Sequence, residues 1–149
     1  MSGDPIADLE AELADFWRRG RVRIRARTHA IDPALDPSCY PLIALLARRG
    51  HLRMSELAAE LGLEKSTVTR QIDAVVRLGL VDRHPDPDDA RARIVSLSEA
   101  GRQRFGDVVT SAVADWRTRL SRWNPDDIRT LTALLHRLGD ASDETPPTA

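Results

Sequence analysis

The sequence predicts an all-α fold that carries one small β-hairpin. Three observations predict it. Apolar residues recur at three- and four-residue spacing near both ends, two short helical segments meet across Gly62, and two strand-like runs flank a loop rich in proline and aspartate.

With 149 residues, 42% of them hydrophobic and 30% charged, the chain suits one compact globular domain over 1–149. No apolar run approaches the roughly 20 residues of a membrane span. The acidic start (Asp4, Asp8, Glu10, Glu12) lacks the basic stretch of a secretion signal, so a cytoplasmic location is expected. Cys39 is the only cysteine, which leaves no intrachain disulfide and no cysteine-rich metal site within one chain. A net charge of −1 speaks against a uniformly basic polyanion binder. The distribution is uneven, however. Arginines cluster at 18, 19, 21, 23, 25 and 27, and basic residues recur at Lys65, Arg70, Arg77, Arg83, Arg91 and Arg93.

Ile6, Leu9, Leu13, Phe16 and Trp17 form an amphipathic stripe that predicts a helix from about 5 to 28. Residues 21–27 alternate with period two, but nothing nearby offers a pairing strand and helix is the better reading. Asp32-Pro33 and Asp36-Pro37 mark a loop, after which Tyr40 to Arg48 reads as a mostly buried helix ending at Gly50. Ser55 is the expected N-cap of a short helix closed by Gly62. From Ser66 to about Leu78, Val68, Ile72, Val75 and Val76 share one face, and Ser66, Arg70, Asp73 and Arg77 share the other. Residues 80–83 and 93–97 are the strands of a hairpin around His84-Pro85-Asp86-Pro87-Asp88-Asp89. Ser98 and Glu99 start a long helix carrying Phe105, Val109, Trp116 and Trp123. Asn124-Pro125-Asp126-Asp127 supplies an N-cap, a first-turn proline and acids for a last helix to Gly139. The tail 140–149 is expected to be disordered.

Two short helices around a glycine turn, followed by a hairpin, are the parts of a winged helix-turn-helix spanning residues 40–97, whose second helix enters the DNA major groove. Lys65, Ser66, Thr67 and Thr69 stand at the positively polarised start of that helix, where donors can meet phosphate. Arg70 is the leading candidate for reading a base edge, with Arg77 two turns further on the same face. The bland alternative makes Arg70 and Arg77 solvated residues paired with Asp73.

At these residues the sequence resembles the MarR (multiple antibiotic resistance regulator) family. The resemblance is carried by the run from Met54-Ser55-Glu56-Leu57 to Ser66-Thr67-Val68-Thr69-Arg70, by Gly79-Leu80-Val81-Asp82-Arg83, and by Asp86-Pro87-Asp88-Asp89-Ala90-Arg91 leading to Leu97-Ser98-Glu99-Ala100-Gly101. It implies a homodimer held by the first and last two helices, here 5–30 and 98–139, and a ligand-responsive regulator, most often a repressor. It also implies a wing arginine, Arg91, in the minor groove, with Asp89 as its ion-pair partner. Arg93, just beyond it in the sequence, is a further candidate for DNA contact. Ala90 departs from the pattern, since many members carry a second basic residue there. The family's usual effectors, small aromatic compounds, imply a pocket to which Trp17, Cys39, Tyr40 and Trp116 are candidates.

The residues support a dimer on their own terms. The outer helices carry more apolar stripe than the domain around 40–97 can cover, which points to a second copy. Two recognition helices roughly 34 Å apart would then select a pseudo-palindromic operator in duplex DNA. His84 and the wing aspartates lack the ligand spacing of a metal site, and neither a metal nor another cofactor is expected. No nucleophile elbow or phosphate loop is present, so an enzyme is not expected. The alternative function is a winged-helix protein-interaction module without DNA binding, which would have no need of Lys65, Ser66, Thr67, Arg70 and Arg91 together.

Overall fold

The computed structural model describes residues 3–143, in six α-helices and three strands. The order is α1 (Pro5–Ile31), a 3-10 turn (Pro37–Cys39), α2 (Tyr40–Arg49), β1 (His51–Arg53), α3 (Met54–Leu61), α4 (Lys65–Arg77), β2 (Val81–Pro85), β3 (Arg93–Leu97), α5 (Glu99–Leu120) and α6 (Pro125–Asp143). The chain groups into two compact units that divide within α5, between Val109 and Thr110, where the sequence reading has one domain.

The first unit holds the core. Leu42, Ile43 and Leu46 of α2, Leu57 of α3, Val68, Ile72 and Val75 of α4, and Leu80, Val81 and Val95 around the sheet are all buried. At roughly 1.5–3 kcal/mol for each large aliphatic side chain fully removed from water, this cluster is the main force that holds α3 and α4 in place. α1 joins it only at its C-terminal end, through Thr28 and Ile31. Burial of Ile31 carries the helix three residues past the expected end at 28.

The sheet has three strands, in the order β1-β3-β2, all antiparallel. β2 and β3 form the predicted hairpin, in register from Val81 opposite Leu97 to Pro85 opposite Arg93. β1 was not foreseen. It pairs Leu52 with Val95 and Arg53 with Ile94 on the other edge of β3. Its presence moves the start of α3: the N-cap is Arg53, not Ser55, and Glu56 Oε2 accepts the Arg53 N–H at 2.8 Å.

Gly62 (φ +62°) closes α3 in the left-handed conformation, and Gly79 (φ +71°) turns the chain from α4 into β2. Both are conformations that a Cβ disfavours. Ser98 stitches that second corner to α5. Its Oγ donates to the Gly79 carbonyl at 2.6 Å and accepts the Gly101 N–H at 3.0 Å.

In the second unit, Asn124 caps α6 as expected, its Oδ1 accepting the Asp126 N–H at 3.0 Å. The helix does not stop at Gly139 but continues to Asp143, which corrects the tail expected from 140. A mid-helix glycine costs only about 1 kcal/mol, too little to end a helix by itself. The rest of that tail, 144–149, lies outside the described residues. Leu131, Leu134, Leu135 and Leu138 of α6 form an apolar face that is 41–53% exposed. No helix among the described residues is long and apolar enough to cross a membrane.

Candidate nucleic-acid interface

α4 is built to bury one face and present the other. Val68, Ile72 and Val75 fall at i, i+4, i+7 and enter the core, and Gln71 on their flank is buried with its Nε2 donating to the Ser38 carbonyl at 3.2 Å. Ser66, Thr69, Arg70, Asp73 and Arg77 are left on the exposed side, with Lys65 exposed and Thr67 half-buried at the helix start. The N-terminal turn therefore offers free N–H groups and cationic or hydroxyl side chains together.

The candidate residues differ in how free they are. Among the described residues, the side chains of Lys65, Ser66, Thr67, Arg70 and Arg91 have no hydrogen-bond or ion-pair partner within the chain. The Thr69 hydroxyl donates back to the Lys65 carbonyl at 2.9 Å, which removes it from the donors counted for phosphate. Arg77 Nε donates to the Asp73 carbonyl at 3.3 Å and leaves its terminal nitrogens free. The pairing of Asp73 with Arg70 or Arg77 does not form. Its carboxylate is held by Arg83 of β2 at 2.5 Å.

In the wing, the side-chain ion pair expected between Asp89 and Arg91 is replaced by a tighter local arrangement. Asp89 Oδ1 accepts the Arg91 backbone N–H at 3.0 Å, and the Asp89 carbonyl accepts the Ala92 N–H at 2.9 Å, so the carboxylate shapes the turn and the Arg91 guanidinium is released. Arg93 folds back onto the Ala90 and Ala92 carbonyls at 3.2 and 3.1 Å and braces the same turn. Sequence reasoning passed over Arg53. Its Nε meets Asp86 Oδ2 at 2.5 Å, and the Asp86 side chain is only 2% exposed. The Asp88 N–H and, after it, the Arg53 guanidinium hold the Asp86 carboxyl below the usual carboxylate range against the opposing effect of burial.

The residues suggested for an effector pocket stand in different local settings. Trp17 is 60% exposed, with the Phe16 ring edge-on at 5.6 Å. It stands about 21 Å along α1 from Ile31, where that helix enters the core. Cys39 is buried and Tyr40 packs on Phe105 at 5.8 Å. Burial first, and the Asp36 charge second, push the Cys39 thiol up, so the reactive thiolate is disfavoured. Trp116 belongs to the second unit, with the Arg119 guanidinium 5.8 Å from its ring. His136 meets Asp140 at 2.9 Å. No cluster of three or more potential metal ligands occurs among the described residues.

A profile of the MarR family matches residues 35–92, the segment that carries α2, α3, α4 and the wing loop. Over that segment the chain is similar to the MarR family. The uncharacterized HTH-type transcriptional regulator YxaD of Bacillus subtilis is 27% identical over 138 residues, covering 93% of this chain and 95% of that one. A MarR transcriptional regulator from Methanosarcina mazei has the same fold at a TM-score of 0.71 and 21% identity, covering 91% of this chain and 96% of the other. So does RV1404 of Mycobacterium tuberculosis, at 0.78 and 22%, covering 97% and 99%. With that family match and these relatives, the winged helix is that of a DNA-binding transcription regulator and not of an enzyme.

Proposed function

We propose that the protein is a homodimeric repressor that reads a pseudo-palindromic operator in duplex DNA and releases it on binding a small effector. The observation that carries the reading is the state of the cations. Arg70 and Lys65 on α4 and Arg91 on the wing have no partner among the described residues, while the carboxylate that could neutralise Arg70 is occupied by Arg83. Free guanidinium groups on a helix face and on a wing suit base-edge and backbone contacts. Arg70 reads a base in the major groove. Lys65, Ser66, Thr67 and the terminal nitrogens of Arg77 meet phosphates, and Arg91 enters the adjacent minor groove on a turn braced by Arg93.

Homodimerisation is supported by apolar surface left uncovered in each unit. Ile6, Leu9, Phe16 and Trp17 of α1 are 43–68% exposed, and Val113, Trp116 and the leucines of α6 are 41–53% exposed. Patches of this kind mark association surfaces, and a two-fold dimer spaces two recognition helices by about one DNA turn. The effector is proposed to be a small aromatic compound seated against Tyr40 beside the buried Cys39. These assignments place the protein with DNA in the cytoplasm.

Selection of bound molecules from random duplexes, combined with sedimentation, tests this reading. An enriched inverted repeat with half-sites about 10 base pairs apart, bound by two chains, is expected. Absence of enrichment at low salt would instead favour an interaction module that has kept the winged fold.

A further inference from the structure

Arg53 occupies a position whose usual task it cannot perform. It is the last residue of β1 and the N-cap of α3, at φ −67° and ψ 149°. N-cap side chains are acceptors for free helical N–H groups, and a guanidinium has five donors and no acceptor. The one capping bond between these side chains and backbone is made from the other end, by Glu56 to the Arg53 N–H. The Arg53 side chain is directed elsewhere: its Nε donates to Asp86, at the base of the wing loop.

Asp86 is the hub of that loop. Its Oδ1 accepts the Asp88 N–H at 2.8 Å, its Oδ2 takes Arg53, and its own N–H donates to the Ala92 carbonyl at 3.2 Å, closing residues 86–92. Inside this closure lies the second turn, in which Asp89 holds the Arg91 N–H. Arg53 is itself fixed, since it pairs with Ile94 across β1 and β3. The arrangement runs from the N-terminus of α3, through an ion pair whose carboxylate is buried, to the turn that carries the free Arg91 guanidinium.

We propose that Arg53 is a positioning residue for the wing, fixing through the buried Asp86 carboxylate the turn that presents Arg91, and that its DNA-binding role rests on the reading of Arg91 given above. Removing Arg53 leaves the buried Asp86 carboxylate without its counter-charge, which opens the loop toward water. The effect on DNA is indirect and passes through Arg91.

The test compares Arg53→Met, Arg91→Ala, the Arg53→Met/Arg91→Ala double variant and the Arg53→Met/Asp86→Asn double variant. Amide hydrogen exchange on the free protein reads the turn without DNA. Arg53→Met is expected to speed exchange at Asp88, Arg91 and Ala92 about tenfold or more, with the α4 amides unchanged as a control for folding. Binding to a mixed-sequence duplex is then followed against salt. Arg53→Met is expected to weaken it several-fold and to lower the salt slope by about one unit, as Arg91→Ala does, with no further loss in the double variant of the two. Asp86→Asn keeps the acceptor for Asp88 without the charge, so its combination with Arg53→Met should restore both protection and affinity. Additive losses would identify Arg53 as a direct phosphate contact and overturn the proposal, as would unchanged wing protection in Arg53→Met. A parent protein that retains no duplex fails the DNA-binding reading instead, and the exchange comparison still decides whether Arg53 holds the turn.

Discussion

Arg83 on β2 captures Asp73 on α4, Nη2 to Oδ1 at 2.5 Å, and in doing so removes the one carboxylate of the recognition helix from competition with its arginines. Asp73 lies between Arg70 and Arg77 on the same exposed face, three residues from one and four from the other. Were it free, local pairing would neutralise the groups proposed to face DNA. The bridge also ties the wing to the helix it flanks.

Arg83→Ala should therefore weaken DNA binding by about three- to tenfold while leaving the fold intact. The pair is 33% and 51% exposed, and exposed pairs contribute about 0–1 kcal/mol to stability. Combining it with Asp73→Asn, which removes the released carboxylate, should recover most of the affinity. Fluorescence anisotropy at several salt concentrations and a thermal melt make the comparison. Equal affinity in Arg83→Ala and parent would show that Asp73 has no influence on the binding face.

Arg70→Ala should cost about 1–3 kcal/mol per half-site and flatten the base preference at one position of each half-site. Affinities across a set of single-base operator variants measure this. A variant that binds more weakly but discriminates as the parent does would reassign Arg70 to the phosphate backbone.

For Arg91 the signature is ionic strength. Arg91→Ala should lower affinity and reduce the slope of log K against log salt by about one unit, with little change in base preference. Arg93→Ala should act differently, because that side chain braces the Ala90 and Ala92 carbonyls. It should loosen the turn, seen as faster amide exchange at Ala92. If Arg93→Ala leaves the exchange unchanged and shifts the salt slope instead, its place is on the DNA.

The helices were legible because periodicity and caps agreed. Val68, Ile72 and Val75 mark the core face of α4, and Asn124-Pro125 marks the start of α6, from local pattern alone. β1 was not legible. Three residues, His51-Leu52-Arg53, show no period, and their partner lies more than forty positions away in β3. The N-cap of α3 was misplaced for the same reason, since the strand that fixes it was unseen. Site residues read from local rules fared according to how local their partners are. The bland alternative pairs Asp73 with its helix neighbours by spacing, but its partner comes from the next strand. The family resemblance implies a pair between Asp89 and the Arg91 side chain, but the nearer backbone N–H takes the carboxylate. Arg53 carried no signal at all, because its meaning lies in a buried carboxylate 33 residues away.

The junction between α4 and α5 supplies a prediction about stability. A Cβ on Gly101 would lie 2.0 Å from the Leu80 carbonyl oxygen and 2.9 Å from its carbon, both backbone atoms. That carbonyl is already fixed by the Ser98 N–H at 3.0 Å, so it has little freedom to retreat. Gly101→Ala should destabilise the protein by about 3 kcal/mol or more, although alanine is the better helix former. Urea denaturation measures it. A loss below about 1 kcal/mol would mean that α5 and the β2 entry can part without cost.

Association can be separated from folding at Trp17. α1 reaches the core only through Thr28 and Ile31, so a change four turns earlier leaves that packing untouched. Yet Trp17 is 60% exposed beside an exposed Phe16, an arrangement that solvent disfavours and a second chain would cover. Tryptophans buried at the centre of an interface commonly contribute 2 kcal/mol or more, about 30-fold in dissociation constant. Trp17→Glu should raise the dimer dissociation constant by at least about that factor, with the helical circular dichroism signal unchanged. It should also weaken operator binding, because two half-sites are then no longer engaged by one particle. Sedimentation velocity over a concentration series decides the matter: a variant that sediments as the parent does at every concentration would place the dimer contact elsewhere.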